Sequence, residues 1–90
     1  MEVRIDHELN PEEALRRLLE AASEHDIRIE QDPDGVTGKL EKSAGFLGSV
    51  RGEYTLAEGH LLILVSKAPA MIPEETVRRM IVEGLGSKFA

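Results

Sequence analysis

The spacing of apolar residues changes several times along the chain, and each change marks an element. Residues 3–7, Val-Arg-Ile-Asp-His, alternate with period two and predict a short strand with Val3 and Ile5 facing inward. Leu15, Leu18, Leu19 and Ala22 then recur at helical spacing, with Arg16, Arg17, Glu20 and Glu24 mostly opposite. Ahead of them, Asn10-Pro11-Glu12-Glu13 offers an N-cap, a proline for the first helical position and a carboxylate placed to reach back. The prediction is an amphipathic helix of about four turns, ending near Glu24-His25.

Alternation returns at Ile27-Arg28-Ile29-Glu30. Asp32-Pro33-Asp34-Gly35 is a turn, with proline presetting one dihedral and glycine accepting a positive one. Val36, Gly38 and Leu40 share one face against Thr37, Lys39 and Glu41, and Lys42 to Gly45 turns the chain. From Phe46 to Ala57 the pattern predicts one long strand. Phe46, Gly48, Val50, Gly52, Tyr54 and Leu56 lie on one face; Ser49, Arg51, Glu53 and Thr55 lie on the other. Gly48 and Gly52 remove side chains where the strand bends or something approaches closely: a crossing helix, or a ligand pocket.

Ala57-Glu58-Gly59-His60 reads as a hairpin turn. Leu61 to Val65 is apolar at every position, as in a strand covered on both faces. The apolar loop Ala68-Pro69-Ala70-Met71-Ile72 follows. Pro73-Glu74-Glu75 then opens a last helix with the stripe Val77, Met80, Ile81 and Leu85; Gly84 and Gly86 weaken or end it, and the tail to Ala90 frays.

The order β-α-β-β-β-β-α predicts an α+β protein: a five-stranded antiparallel sheet with two helices on one face, the second lying over Gly48 and Gly52. Ninety residues make one domain, 1–90. Such a chain buries only about 60–65% of its unfolded surface, so self-association is a natural way to bury more.

Composition narrows the chemistry. Absence of cysteine excludes disulfides, thiolate zinc sites and a thiol nucleophile, and fits a reducing compartment. No signal-peptide pattern opens the chain, and Leu61–Val65 is far too short to span a bilayer, so a cytoplasmic protein without a transmembrane segment is expected. A formal net charge of −6, with Phe46, Tyr54 and Phe89 the only aromatics, argues against nucleic acid as a partner.

His7, His25 and His60 lie at a strand end, a helix end and a turn, without metal-ligand spacing. They read as surface or end-of-element residues. Asp32 and Asp34 flank a glycine turn, but the twelfth position of a calcium loop counted from Asp32 is Ser43, not glutamate. Neither glycine-containing segment, 45–49 or 84–88, has a phosphate-loop context, and no serine has a matched base. No enzyme activity, catalytic residue, metal or cofactor is expected.

The element order, the strand Gly35-Val36-Thr37-Gly38-Lys39-Leu40 and the closing segment Pro73 to Leu85 resemble the polyhydroxyalkanoic acid system family, small bacterial proteins found beside polyester-granule genes. That resemblance implies a helix-grip-like fold without assigned catalytic residues, and a link to polyester-granule systems.

Three functional expectations follow. The first is a non-enzymatic interaction domain, a homodimer or a partner of another protein. It would use Leu47, Leu62 and Leu64 on the uncovered side of the sheet together with the loop residues Pro69, Met71 and Ile72. The bland alternative for that loop is that Met71 and Ile72 tuck under the last helix as a staple. The second is a carrier of a small apolar ligand held between sheet and C-terminal helix, in room left by Gly48 and Gly52. The third is an acidic inhibitor of a basic partner.

Overall fold

The computed structural model describes residues 1–89. Strand β1 (Glu2–Asp6) is followed by helix α1 (Pro11–Glu24), β2 (Ile27–Gln31), β3 (Thr37–Ser43), a single 3-10 turn (Gly45–Leu47), β4 (Ser49–Ala57), β5 (His60–Lys67) and helix α2 (Glu74–Gly86). All five strands form one antiparallel sheet in the order β1-β5-β4-β3-β2, so β2 to β5 is a meander and β1 adds to its far edge. Both helices cover the same face, giving the α+β architecture that the pattern predicts. No helix among the described residues is long and apolar enough to cross a membrane.

Helix α1 starts where its sequence says it should. The Asn10 Oδ1 accepts the Glu13 N–H at 2.9 Å, and Glu12 and Glu13 sit in the first turn at the positive end of the dipole. Its buried face is Ala14, Leu18, Ala21 and Ala22. Three alanines there let the helix axis come close to the sheet. Asp26, with φ 54°, takes the left-handed conformation that turns the chain into β2.

The core is one cluster. Val3, Ile5, Leu40, Tyr54, Leu56, Leu61 and Ile63 rise from the sheet to meet Ala14, Leu18 and Ala21 of α1 and Leu85 and Phe89 of the C-terminal segment. Helix α2 lies toward the β1 edge, where Arg78 Nη1 donates to the Glu2 carbonyl at 2.9 Å.

Two strand glycines are explained by close approach. A Cβ on Gly38 would stand 2.5 Å from the Glu30 carbonyl oxygen and against the ring and hydroxyl of Tyr54. A Cβ on Gly52 would stand 2.6 Å from the Leu64 carbonyl oxygen, at an irregularity in the β4–β5 pairing between Arg51 and Gly52.

These contacts correct the expected position of the last helix. Gly52 gives way to the neighbouring strand's backbone rather than to α2. Gly48 lies outside the strand with φ 111°, and the atom nearest its would-be Cβ is Pro69 Cγ at 4.0 Å. The strand expected from Phe46 begins instead at Ser49. Gly45 and Gly48 both take positive φ, and the Ala44 N–H donates to the Gly48 carbonyl at 2.7 Å, closing a loop around the 3-10 turn. Alternation counted back through those glycines places Phe46 inward; it is wholly exposed.

Candidate functional site

An apolar groove of about 380 Å³ opens between the sheet and α2. Leu40, Val50 and Ile63 form its floor, and Val77, Met80, Ile81 and Gly84 form the α2 wall. Ile27 closes the β2 side, and His25, Lys42 and Glu83 stand at the polar margin. Of the α2 stripe, Val77 and Leu85 press into the core while Met80 stays 43% exposed. The groove exists because α1 packs against β2 and β4 while α2 packs against β1, leaving part of the floor between them open.

Gly84 fits this reading. It sits inside α2, yet a Cβ there would meet nothing within 4 Å. Glycine inside a helix costs about 1 kcal/mol relative to alanine. No crowding demands it, and its effect is to leave the wall of the groove low. At the margin, Lys42 Nζ donates to the His25 carbonyl at 2.5 Å. Among the described residues no carboxylate lies within 4 Å of that ammonium group.

The eight residues singled out from the sequence lie elsewhere. Leu47, Gly48, Pro69, Met71 and Ile72 gather in two neighbouring loops at one end of the sheet, which both helices leave bare. Met71 is 80% exposed, so it does not form the staple; Ile72 is half-buried. Gly52 is enclosed by its own strand pair. Leu62 and Leu64 face outward on the side of the sheet opposite the helices. In register, Leu62 stands between Thr55 and Arg4, and Leu64 between Glu53 and Glu2.

That outer face is otherwise charged. Arg28, Glu41 and Arg51 are cross-strand partners, with Glu41 ion-paired to both arginines; Glu30, Lys39 and Glu53 form the next row with signs reversed. A shallow hollow of about 400 Å³ lies over these side chains. Its lining offers an apolar ligand little contact.

His7 departs from the surface reading. It is only 8% exposed, its Nδ1 accepts the Leu9 N–H at 3.0 Å, and its ring lies 5.2 Å from that of Phe89. The bond to Nδ1 places the proton on Nε2, which is buried without a partner among the described residues. His25 caps α1 and His60 opens β5. The Asp32–Gly35 turn is as read: Asp34 Oδ1 accepts the Val36 and Thr37 N–H groups, each at 2.9 Å. The Thr37 hydroxyl, 2.6 Å from Asp34 Oδ2, and after it these backbone bonds hold the Asp34 carboxyl below its ordinary value. No cluster of His, Asp or Glu suited to a metal occurs among the described residues.

Groove residues Lys42, His25, Ile27 and Gly84 were not legible as a site. Only Gly84, a helix glycine without a steric reason, carries a signal. Comparison with protein-family models, with curated proteins and with solved structures finds no match to this chain.

Proposed function

We propose that the protein is a non-enzymatic binding module for a small anionic amphiphile, its tail in the groove beside α2 and its head at Lys42. The observation that carries this reading is an apolar groove whose helix wall is kept low by an otherwise costly glycine. At roughly 30 Å³ per non-hydrogen atom, a value borrowed from liquid water, about 380 Å³ accommodates on the order of a dozen such atoms. A medium-chain carboxylate has that size. Lys42, which has no carboxylate partner among the described residues, supplies the complementary charge.

Self-association through the outer face has weaker support. It would bury Leu62 and Leu64 together with the charged rows beside them, and desolvating charge offsets much of what two leucines contribute. A role beside polyester granules, as the resemblance to the polyhydroxyalkanoic acid system family implies, belongs to the groove reading, since such material is apolar.

Titration of labelled protein with decanoate, followed by amide chemical shifts, tests the proposal. Shifts should concentrate at Ile27, Lys42, Val50, Met80 and Ile81, and Gly84→Phe, which fills the groove, should abolish them. Shifts scattered over the outer face, or identical shifts in Gly84→Phe, would refute it.

A further inference from the structure

Two loops leave the same end of the sheet, and both carry apolar side chains that nothing covers. The β3–β4 loop presents Phe46 wholly exposed and Leu47 partly so; the β5–α2 loop presents Met71 at 80% exposure. The loops are neighbours, with Pro69 Cγ 4.0 Å from the would-be Cβ of Gly48. Each is closed by its own backbone. Ala44 N–H donates to Gly48 at 2.7 Å, Gly48 N–H to Gly45 at 3.2 Å, and Ile72 N–H to Pro69 at 3.0 Å. The first two bonds hold Phe46 away from the core.

Charge distinguishes the two ends of the sheet. Residues 44–48 and 68–73 contain no charged side chain, whereas the loops at the opposite end carry Glu8, Asp32, Asp34 and Glu58 and no lysine or arginine. Behind the apolar tips stand Arg28, Lys42, Arg51 and Lys67, against Asp26, Glu41, Glu74 and Glu75. This end is therefore balanced, and the net charge of −6 resides in the rest of the molecule.

The geometry points to the Phe46–Met71 end as a docking surface for a lipid bilayer. Phe46, Leu47 and Met71 enter the boundary between headgroups and acyl chains, Arg51 and Lys67 lie near the lipid phosphates, and the acidic end is turned to water. A second copy of the chain fits this patch less well. Phe46 brings roughly 200 Å², and the few tips together fall short of the ~800 Å² per partner of a stable interface. A bilayer sets no such threshold, because it surrounds each side chain separately. The inference rests on residues outside the groove and goes beyond the binding reading.

Flotation with vesicles of phosphatidylcholine, with and without phosphatidylglycerol, tests it. The protein should float with both vesicles and show no strong preference for the anionic one, because this end is charge-balanced. The double variant Phe46→Ser/Met71→Ser should lower the partition coefficient roughly tenfold or more with an unchanged melting curve, since both positions are exposed. Gly84→Phe should float like the parent, which separates this surface from the groove. Failure of the parent to float with either vesicle would overturn the inference, as would equal flotation of the double variant. Light scattering that shows a dimer abolished by Phe46→Ser would also overturn it, assigning the patch to a second copy.

Discussion

Gly38 and Gly84 should respond to the same substitution with opposite signs. Without crowding, replacing glycine by alanine inside a regular element stabilises by about 0.5–1 kcal/mol, because less backbone freedom is lost on folding. At Gly84 the new methyl meets nothing within 4 Å, so Gly84→Ala should gain that amount. At Gly38 the methyl would stand 2.5 Å from the Glu30 carbonyl oxygen and against Tyr54. A side chain could rotate away, but the Glu30 carbonyl belongs to the β2–β3 ladder and can move only with its strand. Overpacking of this kind costs about 1–3 kcal/mol, so Gly38→Ala should lose about 2 kcal/mol.

In a domain of this size 1 kcal/mol shifts the melting temperature by roughly 4–8 °C. Gly38→Ala should therefore melt roughly 8–16 °C lower and Gly84→Ala a few degrees higher. Urea unfolding followed by circular dichroism gives both values, and unchanged m-values would place the effects on stability itself. In a Tyr54→Leu background, itself destabilised by the lost core contacts, Gly38→Ala should cost less than in the parent, because only the Glu30 contact remains. Two shifts of the same sign would refute the reasoning.

Tyr54 is the sole tyrosine, so its ionisation can be followed directly by ultraviolet absorbance. Burial raises its pKa above the ordinary value of 10.0, with Asp32 and Asp34 adding to the shift; the titration step should fall above 10 and move down on unfolding. The folded state then holds its proton more tightly than the unfolded one. Stability should be constant with respect to this group below about 10 and fall as pH rises beyond it, a loss that Tyr54→Phe removes. At the acid end, hydrogen bonds from Arg16 and then Arg17 hold the Glu13 carboxyl down at about 2, against an ordinary 4.5. Its contribution is present above about 4.5 and is lost as pH falls toward 2, so urea midpoints should drop less over that window in Glu13→Gln than in the parent. Because Glu13 is only half-buried, salt should shrink the difference.

Most of the fold is legible in the sequence because apolar period and turn chemistry agree. Asn10-Pro11 and Asp32-Pro33-Asp34-Gly35 place their boundaries by local bonds that form as read. Errors arise where a position depends on a neighbour distant in sequence. Gly38 and Gly52 look alike on paper, yet one yields to Tyr54 and the Glu30 carbonyl and the other to the Leu64 carbonyl. Phe46 follows the strand alternation but stands beyond a loop that two positive-φ glycines close. His7 reads as a strand end and is buried by Phe89, more than eighty residues away. The place of the groove was hidden for the same reason: the sequence suggests room under the last helix at Gly48 and Gly52, whereas the opening lies beside Gly84. The stripe of α2 says which residues are apolar, but only the placement of α2 against α1 decides that Met80 and Ile81 line an opening.

The outward charges on β2, β3 and β4 also settle a question that the apolar face leaves open. Alternation has period two, so moving one strand past its neighbour by two residues returns every apolar side chain to the core side. The charges have period four: Arg28 then Glu30, Lys39 then Glu41, Arg51 then Glu53. A two-residue slip of β2 against β3 sets Arg28 opposite Lys39 in one direction and Glu30 opposite Glu41 in the other. The same slip of β4 against β3 sets Arg51 opposite Lys39 or Glu53 opposite Glu41. Every such slip trades an attractive cross-strand pair for a repulsive one. The solvated face thereby selects, among alignments equally good for the core, the one that is observed.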